Sequence, residues 1–493
     1  MMRLIASNRK MFSGEYVGAM AIFLAVVVSV LIASQVYVLL IFPLGISLLV
    51  LAAAFFWCRE DRSIMFLYYA FAMYFIFSIG WPRYVALWLP GLPSLNPQRF
   101  ANLLLLVALI FGGMSVKQFV NSLRLSFAQN RFFWGCIFAY VTCRLVSILV
   151  SSEVVFSAYQ FINEMVVHVV CVFVGAFVGA NFGVLKKSER ILVILLVFVS
   201  VVAIFEWSVG HNLFARFVDP SNDYLRWATS DKTRGGSYRS QSTLGFPITL
   251  AQFLVVSFAL SYGVFAQSKI EPILRWSIWL CLAAVVCFAV YAAGSRSGYA
   301  GFVFVLLCLP FGNLIISFLK RKMTLSSAVL WIMFVSFSVF LAYFAFLFVY
   351  EHAFGARADA GSNALRELQL LRARELFYQS PILGFGTGRA AEVIGVATYS
   401  GQLTVDNLFV TILVESGFVC LLSFVLAVLC AAVNAFKKSI TCRVMPDTWW
   451  SLCLAISVFS LFFPILSLQD NNYLLFFLMG CSVSVGSSDD GFI

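Results

Sequence analysis

Charge is scarce in this chain of 493 residues, because Asp, Glu, Lys and Arg together make up only 11% of it and histidine occurs three times. Hydrophobic residues make up 62%. No soluble domain has enough interior to hide that much apolar surface. The composition therefore excludes a soluble enzyme. The net charge of +11 would suggest a nucleic-acid partner in a soluble protein, but it does not do so in a membrane protein, and we expect no such partner.

Metal-ligand patterns are also missing. The twelve cysteines form no CxxC pair and no zinc spacing, so we interpret them as small buried apolar residues. The three histidines, His168, His211 and His352, lie in three different segments. We therefore predict no metal site and no cofactor.

Long apolar runs recur along the whole chain, and most of them have about 18–25 residues, which is enough for a helix to cross a bilayer. They do not alternate as the strands of a membrane barrel would. The sequence therefore predicts an all-α, polytopic integral membrane protein that forms a single transmembrane domain over residues 1–493. About fourteen spans are expected, near residues 17–33, 36–57, 64–81, 100–116, 132–151, 161–182, 190–209, 246–266, 273–293, 298–319, 325–350, 407–435, 448–468 and 472–487.

The basic residues predict the orientation of these spans. With a cytoplasmic N-terminus, 19 of the 33 basic residues fall in inside segments, and every short inside loop is basic. The first span has no convincing cleavage site after it, so it is expected to remain as an anchor. An even number of spans returns the C-terminus to the cytoplasm.

The outside segments carry 13 basic residues, of which 12 are arginine and only Lys232 is lysine. Membrane insertion requires positive charge but does not distinguish arginine from lysine. A guanidinium group forks onto phosphate or carboxylate oxygens, which a lysine ammonium does not. The outer face is therefore expected to hold an anionic group. The alternative is that the excess of arginine over lysine arises by chance in a small sample.

Two outside segments, residues 210–245 and 351–406, are too long to be mere connections. Long loops on a membrane scaffold usually carry function. The second contains "NALRELQLLRARELF", which predicts a helix over residues 364–378 with Asn363 as its N-cap. Arg366 and Arg374 lie about 80° apart around that helix and can reach one side. The alternative is an ordinary solvated charged helix.

The stretch "AAGSRSGYAG" places Arg296 in a tight turn between two spans at the outer surface. Flanking glycines permit close backbone approach, and Ser295 and Ser297 can cap a helix or donate to an anion. The helix that begins here also directs its N–H groups at the same place. We expect a small anion site with Tyr299 beside it for stacking on sugar rings. The alternative is a turn whose arginine reaches lipid headgroups.

Two further motifs follow. "SPILGFGTGR" lacks the Lys-Ser/Thr of a nucleotide-binding loop, and we interpret it as a tight turn that brings Arg389 or backbone N–H groups to a substrate. "TVDNLFVTILVESGFV" opens a span with Asp406 and Asn407 at its start. Either residue suits a helix N-cap, and Asp406 also suits a general base facing an outer cavity. Both roles remain open.

Four polar residues fall within or beside spans, where charge is costly and is usually paired or functional. They are Arg144, Glu164, His168 and Glu206. Because Glu164 and His168 are four residues apart on one helix, we expect that they pair with each other.

The order "SRSG", outer-loop Arg366, "PILGFGTG" and "DNLFVTILVESGFVCLL" resembles the O-antigen polymerase and O-antigen ligase superfamily of bacterial envelopes, over about residues 290–430. The resemblance implies a metal-independent, inverting glycosyltransferase of the inner membrane, with its active site facing the periplasm. The donor and acceptor would be saccharides linked to undecaprenyl diphosphate. A chain-length regulator and a flippase are further candidate partners.

The resemblance also implies residue roles. Arg296 falls on the arginine of the "SRxG" motif and Arg366 on the loop arginine, and both would hold the diphosphate leaving group. Ligases resemble one another in having a histidine just before the Asn that opens the last motif, and here that place is Asp406. We therefore favour a polymerase of O-antigen or exopolysaccharide. A ligase that transfers glycan to lipid A-core is the alternative, followed by a lipid-linked oligosaccharide flippase.

Overall fold

The computed structural model describes a mostly helical chain. The described residues are 61–82, 84–86, 96–109, 117–218, 229–234, 236–319, 360–397, 401, 403–442, 445–466 and 471–485. The predicted spans at 17–33, 36–57 and 325–350 lie outside them. So do residues 219–228 and 351–359 of the two long loops.

The first half of the described chain contains seven α-helices, interrupted by a short 3-10 turn at Ile148–Val150 and a π-helical segment at Met165–Val169. They are α1 Asp61–Gly80, α2 Pro97–Val107, α3 Lys117–Gln129, α4 Arg131–Ser147, α5 Val154–Glu164, α6 Val170–Ala180 and α7 Phe182–Val209.

The first long loop contains the 3-10 turns Ala215–Phe217 and Ser242–Leu244 and an antiparallel pair of two-residue strands, β1 Thr233–Arg234 and β2 Ser237–Tyr238. The helices that follow in the described chain are α8 Pro247–Ala266, α9 Pro272–Ala293, α10 Arg296–Leu319, α11 Ala360–Gln379, α12 Ala390–Ile394, α13 Leu408–Thr441, α14 Pro446–Ser460 and α15 Asn472–Ser482.

Within the described residues, six helical segments are long and apolar enough to cross a membrane, and three shorter apolar helices accompany them. Each of the eleven predicted spans that falls in this part of the chain overlaps a helix. The chain is therefore an all-α, multi-pass membrane protein. The number of spans predicted for the whole chain is not tested by these residues.

Three helix predictions need correction. Helix α3 occupies a segment expected to be a basic connection; it buries Phe119, Ser122 and Ser126, while its exposed side mixes polar residues with Val120 and Leu125. Helix α11 begins at Ala360, so Asn363 lies inside the helix and is not its N-cap. The span predicted at 161–182 begins at Val154, and its middle is π-helical. Hydropathy alone marks none of these boundaries.

The core forms where helices approach at backbone distance. Helix α15 lies against α6, and α14 lies between α8 and α13. A Cβ atom at Gly175 of α6 would overlap the carbonyl oxygen of Phe477, and one at Gly480 of α15 would overlap that of Val172. Small residues permit this close approach where lipid provides no hydrophobic drive between helices.

We predict that Gly480→Ala destabilises the protein by about 1–3 kcal/mol, the usual cost of overpacking, because α15 and α6 must separate. Thermal unfolding in detergent measures the effect. Gly135→Ala is the matched control, since a Cβ atom at this helical glycine of α4 meets nothing within 4 Å. Equal melting temperatures for the two variants would contradict the packing account.

Candidate functional site

The functional groups predicted from sequence gather at one end of the bundle, where α4, α7 and α9 finish and α8, α10 and α13 begin; we call it the loop end. The turn around Arg296 lies there. Gly294 ends α9 in the left-handed conformation, with φ of 56°. The Ser295 hydroxyl lies 3.0 Å from that of Ser297 and 3.4 Å from the Gly298 backbone nitrogen, which donates to it. The serines therefore cap the start of α10 and leave Arg296 half-buried at its first residue.

A second arginine, Arg239 of the first long loop, lies along this turn. Its Nε donates to the Ala293 carbonyl at 3.2 Å, and a Cβ atom at Gly294 would lie 3.1 Å from its Cγ. The adjacent Ser240 nitrogen donates to the Ala292 carbonyl at 2.9 Å. Sequence reasoning did not single out Arg239, because the contact joins segments more than fifty residues apart.

Glu206, near the end of α7, anchors the loop that carries Arg239. Its buried carboxylate accepts hydrogen bonds from the Tyr238 hydroxyl, from the Ser240 hydroxyl at 3.1 Å, and from the backbone nitrogens of Gln241 at 3.2 Å and Ser242 at 2.5 Å. Burial, followed by the nearby charge of Glu206, raises the pKa of the Tyr238 phenol, which keeps it a donor. Glu206, which the sequence analysis singled out as a charge within a span, is thus bonded to the loop of residues 238–242.

The second long loop folds against the start of α13. Helices α11 and α12 and the first turns of α13 share a small apolar cluster of Ala373, Ala390, Ile394, Val396, Val405, Val410 and Val414. The Gln369 side chain of α11 donates to the Thr404 carbonyl at 2.8 Å. This cluster brings the helix that carries Arg366 next to the segment that carries Asp406.

Asn407 is the N-cap of α13, since its side-chain oxygen accepts from the Val410 nitrogen at 3.2 Å. Asp406, one residue earlier, is therefore not needed as the cap. Its backbone nitrogen lies 3.4 Å from the Gln369 side-chain oxygen. Burial raises the pKa of its carboxyl, and the nearby positive charge of Arg366 lowers it. An aspartate held this way can accept a proton within a basic environment.

The glycine-rich turn of residues 381–389 inserts into a break in α13. Gly417 has non-helical dihedral angles, φ 79° and ψ 179°. Across the break, the nitrogens of Phe385 and Gly386 donate to the carbonyls of Val414 and Glu415 at 2.9 and 3.0 Å. These backbone N–H groups therefore bind the helix, and the sequence analysis had expected them to approach a substrate.

Arg389 and Arg374 occupy different surroundings. The Arg389 guanidinium forms ion pairs with Glu153 at 2.6 Å and with Glu392 at 2.7 Å, which attach the turn to the start of α5. Arg374 is exposed on α11, whereas Arg366 is half-buried. Tyr299 lies one turn into α10, and its hydroxyl is 3.4 Å from the Tyr291 carbonyl.

A buried ion cluster lies beneath the glycine-rich turn. Arg144 of α4 contacts Glu164 through Nε at 2.9 Å and Nη2 at 2.5 Å, and Glu415 of α13 through Nη1 at 2.5 Å. The Tyr140 hydroxyl also donates to Glu164. The sequence analysis expected Glu164 to pair with His168, whereas its carboxylate binds Arg144 and Tyr140. The role of Glu415 was not foreseen.

Metal ligands do not gather in the part of the chain that the structure describes, where no three His, Cys, Asp or Glu side chains cluster. The eleven cysteines in these residues are free thiols. The candidate functional groups at the loop end are arginines and the Asp406 carboxylate. Such a set can hold an oxyanion and move a proton.

Residues 279–425 match a known protein family, the O-antigen ligases. The match contains Arg296, Arg366, Asp406 and the broken part of α13. It confirms, for this part of the chain, the resemblance to the O-antigen polymerase and ligase superfamily drawn from the motifs, and it supports a glycosyltransferase-like enzyme. No curated protein is significantly similar to the chain.

We predict that Glu206→Gln loosens the loop of residues 238–242, because an amide cannot accept all four hydrogen bonds that the carboxylate accepts. Hydrogen exchange of the Gln241 and Ser242 amides should become at least about 10-fold faster, as expected for a loss of about 1.4 kcal/mol of local stability. Ser208→Ala, on the same helix, is the control. Unchanged exchange in Glu206→Gln would show that the loop is held by other contacts.

Proposed function

We propose that the protein is a polysaccharide polymerase that joins undecaprenyl-diphosphate-linked repeat units of a bacterial surface glycan. The observation that carries the proposal is that half-buried Asp406 lies close enough to Arg366 for the arginine's charge to lower the pKa of its carboxyl, within residues 279–425, which match the O-antigen ligases and contain the arginine turn at the same end of the bundle. This arrangement offers a proton acceptor and cations for a diphosphate without a metal ion.

Each group has a proposed role in an inverting transfer. The Asp406 carboxylate takes the proton of the acceptor hydroxyl as its oxygen attacks the anomeric carbon of the donor. The bond between that carbon and the phosphate oxygen breaks, and the electron pair leaves with the undecaprenyl diphosphate. Arg296 and Arg366 stabilise the charge that develops there, as fixed cations do best in a site shielded from water.

Neighbouring groups complete the proposed site. Arg239 lies on the turn of Arg296, and Ser295 and Ser297 present hydroxyls beside it. Asn407 fixes the backbone next to the base by capping α13. Arg374 is placed for glycan on the exposed side of α11, and Tyr299 for sugar stacking. Arg389 serves to attach the glycine-rich turn to the start of α5 through its ion pair with Glu153.

The cell location follows from the same proposal. The basic residues of the sequence favour cytoplasmic termini, which puts the loop end in the periplasm and the chain in the inner membrane. Donors and acceptors reach it through the bilayer, with a flippase that delivers them and a chain-length regulator as candidate partners.

A ligase is the second candidate, because the matching family is that of the O-antigen ligases. In that case finished glycan would pass from undecaprenyl diphosphate to lipid A-core. The residue before Asn407 favours the polymerase, because this chain has Asp406 at the place where ligases have a histidine. Gene deletion separates the two: single lipid-linked repeat units accumulate if the polymerase is lost, and long lipid-linked polymer accumulates if the ligase is lost.

We predict that Asp406→Asn lowers the rate of polymer formation by about 10²-fold or more, the usual contribution of a general base. Arg296→Ala should lower it by about 10²–10³-fold, as the loss of a group that stabilises transition-state charge does. Arg372→Gln is the control, since Arg372 is exposed and pairs with Glu375 at the surface. Complemented deletion strains report polymer length, and an Asp406→Asn protein at wild-type rate would remove the base assignment.

We predict a shift in pH dependence when Arg366 is neutralised. The base must be ionised, so activity falls as pH drops through the pKa of Asp406, which burial raises and Arg366 lowers. Arg366→Gln removes the lowering influence, so the acidic limb of the rate profile should move to higher pH. Rates measured in proteoliposomes over a pH series test this prediction. An acidic limb that stays at the same pH would show that Arg366 does not act on the ionisation of Asp406.

A further inference from the structure

The break in α13 is built by two glycines. At Gly417 a Cβ atom would overlap the carbonyl oxygen of Ile382, and at Gly384 one would overlap the backbone of Glu415. Gly417 also has a positive φ, which side-chain-bearing residues rarely adopt. The turn therefore enters the helix at backbone distance and divides it into an outer segment, residues 408–416, and a membrane segment, residues 418–441.

The outer segment packs against the described part of the second loop. Val410 and Val414 belong to the apolar cluster shared by α11 and α12, and the Phe418 nitrogen donates to the Pro381 carbonyl at 2.8 Å. We call residues 360–416 the cap unit; it carries both Asp406 and Arg366. Leu408 and Ile412 of the outer segment also pack into the main core of the bundle, whereas Arg296 lies outside the unit, on α10.

The cap unit is attached to the bundle at the break. Glu415 binds Arg144 of the bundle, and within the cap unit its Oε1 accepts from the Ala390 nitrogen at 3.3 Å. Ser416 donates to the Ser147 hydroxyl at 3.2 Å, and the hydroxyls of Ser147 and Thr387 lie 2.9 Å apart. Two further attachments, Arg389 with Glu153 and the Leu408 nitrogen with the Phe463 carbonyl, lie at the edges of the unit.

The buried cluster contains one guanidinium group, that of Arg144, and two carboxylates, those of Glu164 and Glu415. Arg144 and Glu164 already form a neutral pair with two contacts, and Tyr140 adds a further donor. Glu415 adds a second carboxylate within the membrane, where an uncompensated charge is costly. Because Arg144 already has Glu164 as a counter-ion, its further bond to Glu415 joins the break of α13 to α4.

We propose that Glu415, held by Arg144, is a positioning residue that sets the angle of the cap unit on the bundle, and so places Asp406 and Arg366 relative to Arg296. The outer segment is nine residues or about 13 Å long, so a tilt of about 10° at the break moves Asp406 by about 2 Å. A displacement of that size is enough to reduce catalysis strongly. The catalytic part of this inference rests on the proposed function.

Glu415→Gln is the test, because it removes the charge but leaves Arg144 paired with Glu164. We expect a folded protein with kcat lowered by at least about 10-fold and KM within about 3-fold, since the substrate contacts remain. Trypsin should cleave the exposed Arg372 and Arg374 of the cap unit several-fold faster, while cleavage at Arg216, in the other long loop, stays unchanged. Glu392→Gln, which removes a surface ion pair of the same turn, is the matched control and should resemble wild type.

Wild-type kcat and cleavage in Glu415→Gln would overturn the proposal. Lower kcat with unchanged cleavage at Arg372 and Arg374 would also overturn it. Faster cleavage at Arg216 in addition to these two sites would overturn it too, because Glu415 would then serve only overall stability. If the variant does not fold, Ser416→Ala decides: it removes the 3.3 Å contact with Arg144, and a weaker effect of the same pattern is expected. Wild-type protein without glycan transfer would reject the proposed function, while cleavage would still test the positioning.

Discussion

Every polar group inside a bilayer must find its partner within the protein, because lipid offers no hydrogen bonds. This constraint explains why two buried carboxylate groups at the loop end of the described bundle each have several bonded partners. Arg144 bridges two carboxylates, and Glu206 accepts four hydrogen bonds. It also explains the broken helix, since the carbonyls released at Gly417 are taken up at once by the N–H groups of the glycine-rich turn.

The same device occurs twice at the loop end. In each long loop, a segment with catalytic candidates is held in part by one glutamate of a membrane helix. Glu206 fixes the strand and turn that carry Arg239, and Glu415 binds both Arg144 of the bundle and the first residue of α12 within the cap unit. Because these carboxylates bind backbone nitrogens, the loop conformations are set before any substrate arrives, and less ordering is left for binding to supply.

Hydropathy predicted where most helices of the described chain lie, because it depends on local residue types. Asn407 as a cap is also a local feature, and it is present. What escaped prediction depends on tertiary contacts. The approach of Arg239 to Gly294 and the bond between Arg144 and Glu415, more than 270 residues apart in the chain, follow from how helices pack. Helix α3 escaped because its polar face resembles a connection.

The break at Gly417 also matches the chain to the thickness of its membrane. Unbroken, the 34 residues of α13 would extend about 51 Å, far beyond a hydrocarbon layer of about 30 Å. The 24 residues after the break extend about 36 Å, which a modest tilt accommodates. The height of Asp406 above the lipid is therefore fixed by where one glycine interrupts a helix, and a bilayer of different thickness would change the depth at which the proposed chemistry takes place.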